Sequence, residues 1–193
     1  MRLFLAINLP EELRRATYEA AAPLRAAAPE ARWVREEKLH LTLKFLGDVP
    51  EERVGELDEA FGAVATAHRA VTLEVARFGA FPNWRRPRVV WAGVVPDPRL
   101  ELLEHDVELA GERLGFPVEG RPFRPHVTIG RLRGPLPDEG RQALAAAARG
   151  ARLRGSFVAG SLDLMHSDLS TRGAAYRRIA AHPFTAFAPL RSV

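Results

Sequence analysis

The sequence predicts an α+β fold with largely antiparallel sheet, and three observations predict it. Strand-like and helix-like runs are mixed along the chain in an order that fits α+β better than a regular parallel alternation. Strand-like runs follow one another with no helix between them, 71–78 then 88–95 and 156–166 then 174–182, an order that suggests antiparallel neighbours. Composition is that of a soluble globular chain: 193 residues, 47% hydrophobic and 27% charged. At that length folding buries about 70% of the unfolded chain's surface, enough for a real core in one domain or two intimately packed lobes.

The elements follow in order. Residues 2–8 are an apolar run that reads as a first strand. Pro10-Glu11-Glu12 opens a helix that runs to about residue 27, with proline near its first turn and acids at its positive end. Residues 39–46 alternate as a strand, and Glu51 to about His68 reads as a second helix. The strands 71–78 and 88–95 are joined by a loop of Pro, Asn and Arg. Pro98 to Leu114 is a third helix, with Leu100, Leu103, Val107 and Leu114 near helical spacing. Residues 126–132 form another strand, Asp138 to Arg149 a fourth helix, and 156–166 and 174–182 the closing strands. The Ala-rich stretches at 20–28 and 143–148 carry Arg or Glu nearby and read as helix surface.

Composition also excludes. There is no cysteine, so disulfides, thiolate metal sites and a cysteine nucleophile are out. No apolar run approaches the roughly 20 residues of a membrane span. The opening MRLFLAINLP is too short for a signal peptide and has no small-residue cleavage site, so a cytoplasmic protein with no membrane contact is expected. Net charge is +4, a mild excess that hints at an anionic partner. Its cations are almost all arginine; Lys38 and Lys44 are the two lysines. A GC-rich genome accounts for that bias, and the arginines still supply bidentate phosphate donors.

One motif occurs twice. His40-Leu41-Thr42-Leu43-Lys44-Phe45-Leu46-Gly47 and His126-Val127-Thr128-Ile129-Gly130-Arg131-Leu132 both read His-x-Thr-apolar-x-x-Leu, 86 residues apart. The composition predicts roughly 0.2 His-x-Thr tripeptides by chance; two are present, both in strand-like runs. In a strand, residues i and i+2 share a face. His and Thr therefore project together, and Leu41 with Leu43, or Val127 with Ile129, point into a core. Two such strands around one cleft offer two imidazoles and two hydroxyls.

That set suits phosphodiester chemistry. A neutral imidazole takes a proton from the attacking nucleophile, and a protonated one gives a proton to the leaving oxygen. Histidine alone has an ordinary pKa near 6.5 that permits both roles near neutrality. Thr42 and Thr128 hydroxyls can donate to phosphoryl oxygens, and Arg131 can add a charge-assisted bond. The arrangement requires no metal or other cofactor. A two-histidine metal site is the competing reading, but no carboxylate stands at an obvious ligand spacing.

The two motifs resemble the tandem His-x-Thr-x signatures of the 2H phosphoesterase superfamily, and within it the RNA 2′,3′-cyclic phosphodiesterase family, historically called 2′-5′ RNA ligases. The likeness spans nearly the whole chain. Arg2-Leu3-Phe4-Leu5-Ala6-Ile7 resembles the family's first strand and Trp33-Val34 its approach to the first motif. Phe81-Pro82-Asn83 through Arg88-Val89-Val90-Trp91-Ala92-Gly93 resembles its central hairpin. Ser167-Asp168-Leu169, Gly173 and Tyr176 resemble its closing hairpin.

The resemblance implies a single bilobal domain over residues 1–193: two pseudo-symmetric lobes, each a largely antiparallel sheet with helices outside, and an active-site cleft between the sheets. It implies hydrolysis of an RNA-terminal 2′,3′-cyclic phosphate to a 2′-phosphate without metal. Its substrates would be RNA ends or nucleotides carrying that cyclic phosphate, and the protein would act as a monomer. Carried over by position, His40 and His126 are catalytic, Thr42 and Thr128 bind phosphate, and Arg131 matches the basic residue after the second motif. We assign His126 as base and His40 as acid.

Secondary candidates lie nearby. Phe45 follows Thr42 by three and so leaves the His/Thr face of an ideal strand. It is either core or, if the strand twists or ends there, a base-stacking surface. Lys44 shares the even-numbered face and is a candidate phosphate contact. Arg85, Arg86 and Arg88 form a basic loop that either tracks an RNA backbone or is simply solvated, and Trp84 beside them reads as an ordinary loop aromatic. His68, His105, His166 and His182 lack the following Thr and read as surface or packing residues, His166 the least secure of them because it begins the Ser167 hairpin. Tyr176 and Trp91 read as core.

The enzyme alternative is reversible 2′-5′ ligation at the same site, or another cyclic or 2′-5′ linked nucleotide substrate. No G-x-x-x-x-G-K-[ST] is present to bind ATP. The non-enzyme alternative is a module that captures phosphate-ended RNA.

Overall fold

The structure, a computed structural model, describes residues 1–170 and 173–185. Its strands are β1 (Arg2–Asn8), β2 (Arg32–Trp33), β3 (His40–Asp48), β4 (Val71–Phe81), β5 (Val89–Val94), β6 (His126–Arg131), β7 (Arg154–Ala159), β8 (Ser161–Ser170) and β9 (Gly173–Pro183). Its α-helices are α1 (Glu11–Ala20), α2 (Ala22–Ala27), α3 (Val54–Ala67), α4 (Pro98–Arg113) and α5 (Asp138–Gly150). Among the described residues no helix is long and apolar enough to cross a membrane.

Every strand pairing is antiparallel, in the order β7-β4-β5-β6-β3-β1-β8-β9. The middle of this path is its weakest seam. The ladder between β3 and β6 is one residue pair, Leu41 with Val127. Beyond it the strands part, and the rest of that inner edge of β6 is covered by β2, which pairs Arg32 with Arg131 and Trp33 with Gly130. The sheet is thus two half-sheets, β7-β4-β5-β6 and β3-β1-β8-β9, each ending inward on a His-x-Thr strand. Helices α3 and α4 pack on the second half, and α1 and α5 on the first, with α2 packed on α5.

Strand β1 shows how side chains are sorted. Leu3, Leu5 and Ile7 point to the helices and lie in the main core; Phe4 and Ala6 point the other way and join Met165 and Tyr176 in a small second cluster. The second cluster floors the cleft under His40.

Three elements are organised differently from the sequence reading. The first helix breaks at Ala21, because Pro23 supplies no N–H to continue the ladder and instead sits in the first turn of α2. The strand read as 156–166 is two strands separated at Gly160, β7 and β8, which lie in opposite halves of the sheet. The two-residue β2 carries too little pattern to be read. The end of α4 also matters to the site. Gly115 (φ +85°) closes it with bonds from Gly115 N–H to the Glu112 carbonyl and from Phe116 N–H to the Gly111 carbonyl, both 2.9 Å. This left-handed glycine cap turns the chain toward β6.

Candidate active site

The single Leu41–Val127 pair builds the centre of the site. In antiparallel register it sets His40 across from Thr128 and Thr42 across from His126. All four side chains are half-buried on the open face, with Leu41 and Val127 fully buried beneath.

The histidines are held alike. His40 Nδ1–H donates to the Lys38 carbonyl at 2.8 Å, and His126 Nδ1–H donates to the Arg124 carbonyl at 2.7 Å. A carbonyl only accepts, so each bond fixes the proton on Nδ1 and leaves Nε2 as the group that exchanges protons. Aromatic rings fix the planes. His40 lies 4.9 Å from the Phe4 ring and meets Tyr176 edge-on at 5.2 Å; His126 meets Phe81 edge-on at 4.9 Å, with Trp91 5.2 Å behind Phe81.

Burial pushes both imidazoles below the ordinary histidine pKa. For His40 the bond to Lys38 opposes this, while the charges of Arg131 and His126 add to it. For His126 the bond to Arg124 and the nearby Glu119 oppose it, and Arg131 adds to it. Arg131 thus acts on both rings, and the two titrate in one shared field.

Each motif strand carries a bulge just past its threonine. On β3 the register passes from Ala6–Thr42 to Leu5–Lys44, so Leu43 is the extra residue; on β6 it passes from Trp91–Thr128 to Val90–Gly130, so Ile129 is. An extra residue reverses the alternation. The residue five after each histidine, Phe45 on one strand and Arg131 on the other, therefore returns to the His/Thr face. Phe45 is 56% exposed with its ring 6.0 Å from Phe4. The two positions are equivalent under the pseudo-twofold, with an aromatic face at one end and a guanidinium at the other.

The same bulge corrects the reading of Lys44 as a phosphate contact. Lys44 faces the helices, is 1% exposed, and donates to Glu108 at 2.6 Å and to the Pro117 carbonyl at 2.9 Å. Glu108 also accepts from the Glu119 backbone N–H at 3.2 Å. Lys44 thus ties the segment after α4, which runs on to Arg124 and His126.

The remaining candidates divide. His68 bonds Asp106 at 2.8 Å and His182 stands 3.1 Å from Asp58, both among the helices; His105 is exposed. His166 pairs with Leu3 in register and faces away from the cleft. Arg85, Arg86 and Arg88 are exposed on a loop ordered by Asn83, whose Oδ1 accepts from the Arg85 and Arg86 N–H groups; Trp84 packs on the core. Trp91 lies half-buried on the cleft face, its ring filling the space over Gly79. The sequence reading missed Phe4, Phe81 and Tyr176 as walls of the histidine pockets. Phe4 was readable from its alternation with Ala6, but Tyr176 reaches His40 only through the β8–β9 register. Among the described residues no group of three or more His, Asp or Glu side chains is placed to hold a metal.

A half-sheet pair with one His-x-Thr strand at each inner edge, and both imidazoles presented through Nε2, is the architecture of the 2H phosphoesterases. The chain matches the family described as LigT-like phosphoesterases over residues 7–91 and 94–176 and belongs to that family. The RNA 2′,3′-cyclic phosphodiesterase of Methanothermobacter thermautotrophicus is 30% identical over 176 residues, covering 91% of this chain and 95% of that protein. The protein of the same name from Geobacillus stearothermophilus is 37% identical over 148 residues, covering 75% of this chain; the match spans about half, 47%, of that relative's length. The crystal structure of TT0787 of Thermus thermophilus superposes with a TM-score of 0.81 at 27% identity, covering 97% of this chain and 100% of that one.

Proposed function

We propose that this protein hydrolyses the terminal 2′,3′-cyclic phosphate of RNA to a 2′-phosphate, with His126 as base, His40 as acid, and Thr42, Thr128 and Arg131 holding the phosphoryl oxygens. The observation that carries the reading is the matched pair of Nδ1-anchored histidines about one inter-strand bridge. The unit that does this is the whole bilobal chain, since each lobe supplies one histidine.

His126 is the more open ring and takes the proton of the attacking water; His40, deeper between Phe4 and Tyr176, meets the leaving oxygen. The water oxygen bonds to phosphorus as the P–O3′ bond breaks. The water proton goes to His126 Nε2, and the proton on His40 Nε2 goes to O3′. The product carries a 2′-phosphate and a free 3′-hydroxyl, and solvent restores both rings. The threonine hydroxyls and the Arg131 guanidinium stabilise the charge that builds on the equatorial oxygens.

The pH dependence follows from the direction of the shifts. Activity needs His126 neutral and His40 protonated; acid removes the first and base the second. Both pKa values lie below the ordinary one in the free protein, so both limbs of the kcat/KM profile are expected on the acid side of where unshifted histidines near 6.5 would put them. A bound anionic phosphate favours the charged form of both rings, so the kcat profile should move to higher pH. A kcat profile lying with or below that of kcat/KM contradicts the account.

Phe45 offers the terminal base a face. Phe45→Ala is expected to raise KM by about 5- to 150-fold, the value of one stacked base at about 1–3 kcal/mol, and Phe45→Tyr to restore it. Steady-state kinetics on an oligonucleotide ending in the cyclic phosphate decide this; an unchanged KM in Phe45→Ala removes the stacking role.

A further inference from the structure

Away from the histidines, Arg77, Arg152 and Arg154 line one cavity of about 540 Å³ together with Ala76. All three arginines are exposed to solvent, and Arg154 pairs with Glu74 at 2.9 Å. Arg77 is held in place at a cost. It is the extra residue in a further bulge, between the pairs Ala76–Gly93 and Phe78–Ala92, and it adopts φ +51°, the left-handed region that a side chain with a Cβ disfavours. Its N–H donates to the Leu153 carbonyl at 3.3 Å, so the bulge is pinned to the segment that carries Arg152 and Arg154.

Register connects this cavity to the catalytic face. His126 pairs with Gly93, Gly93 with Ala76, and Ala76 with Arg154. Residues directly paired across strands share a face, so the row from His126 to Arg154 runs along the open side of one half-sheet. Three strand spacings make it about 14 Å long. Between its two ends the row itself carries only Gly93 and Ala76, and the Trp91 indole reaches in against Gly93, 3.1 Å from where its Cβ would stand.

We propose that the Arg77/Arg152/Arg154 cavity is a phosphate subsite that takes a backbone phosphate of the RNA strand upstream of the cyclic end, so that the protein favours oligonucleotide ends over cyclic mononucleotides. This rests on the function proposed above. Arginine guanidiniums lining one cavity offer bidentate donors for phosphate, and neutralising a strand phosphate makes binding depend on salt.

The test uses the full chain, a 2′,3′-cyclic mononucleotide and a series of two- to five-nucleotide RNAs with the same end. In the wild type kcat/KM should rise with length and level off once the strand reaches the cavity, with a total gain of tenfold or more at low salt. Arg77→Gly/Arg152→Ala should lose most of that gain through KM, leave the mononucleotide rate unchanged, and lower the salt slope by about 0.7, the value of one single-strand phosphate. Glycine adopts the left-handed backbone freely, so the melting temperature of the double variant should not fall. A purely structural Arg77 predicts the opposite: unchanged oligonucleotide kinetics. Equal loss on both substrates, or no loss of the length gain, overturns the proposal. If the wild type turns over neither substrate, the reaction reading fails. Binding of a labelled five-nucleotide RNA ending in a 2′-phosphate then decides the subsite: tenfold weaker binding by the double variant supports it, and equal binding overturns it. A free-anion site is a separate outcome. If inorganic phosphate stabilises the wild type but not the double variant while RNA affinity is equal in both, the cavity binds free phosphate and not the strand.

Discussion

His126→Ala and His40→Ala are each expected to lower kcat on a cyclic-phosphate RNA end by about 10²–10⁴-fold, the usual value of a positioned proton donor or acceptor. KM should change little, because Thr42, Thr128 and Arg131 keep their places. The two variants should differ in pH. Without its base, His126→Ala loses the acidic limb of the rate profile and keeps the limb that reports His40. Each imidazole is hydrogen-bonded to a backbone carbonyl, that of Lys38 or Arg124, and is half-buried against aromatic rings, so its removal leaves the scaffold in place and melting temperatures should stay near wild type. The double variant should be little worse than the weaker single one, since residues acting as a unit are not additive. A His126→Ala protein that kept both its activity and its full bell-shaped profile would refute the assignment.

The second large effect falls on stability. Lys44→Met leaves the Glu108 carboxylate buried without its counter-ion and the Pro117 carbonyl without a donor. Breaking one side of such a pair costs about 3–5 kcal/mol, which in a chain of this size lowers the melting temperature by about 10 °C. Replacing both charges, Lys44→Met with Glu108→Leu, should recover more than half of that loss. Gly111 sharpens the test: a Cβ there would stand 2.5 Å from the Lys44 Cε. Gly111→Ala should therefore destabilise the wild type, and do so less in the Lys44→Met/Glu108→Leu background, where a shorter, uncharged side chain is free to shift. Thermal unfolding of the series decides it. Equal stability of Lys44→Met and wild type would show that the pair contributes nothing.

What was legible in the sequence is what obeys local periodicity. His and Thr two apart on a strand share a face whatever their partners do, so the two motifs and the apolar residues behind them could be read directly, and their repetition pointed to a two-sided site. The positions beyond the threonines could not. Counting by twos placed Lys44 at the phosphate and Phe45 off the face. The bulge at Leu43 reverses both assignments, and a bulge is a property of two strands in register, not of one. Tyr176 is hidden for the same reason: only the β1–β8–β9 register carries it from the closing hairpin to His40. The hairpin strands and helices were readable from their patterns. That the two half-sheets meet at one pair, which is what opens the cleft, was not, because a single inter-strand bridge leaves no trace in composition. The break at Pro23 was written in the sequence and was overridden by the alanines around it.

The most direct test of the central claim is mass spectrometry of an RNA oligonucleotide ending in a 2′,3′-cyclic phosphate after incubation, with EDTA present, with the wild type, His40→Ala and His126→Ala. The account predicts that the wild type adds one water and yields the 2′-phosphate isomer, identified against a standard, and that both variants leave the cyclic end intact. Turnover by either variant at the wild-type rate, or a wild type that leaves the cyclic end intact, would contradict it.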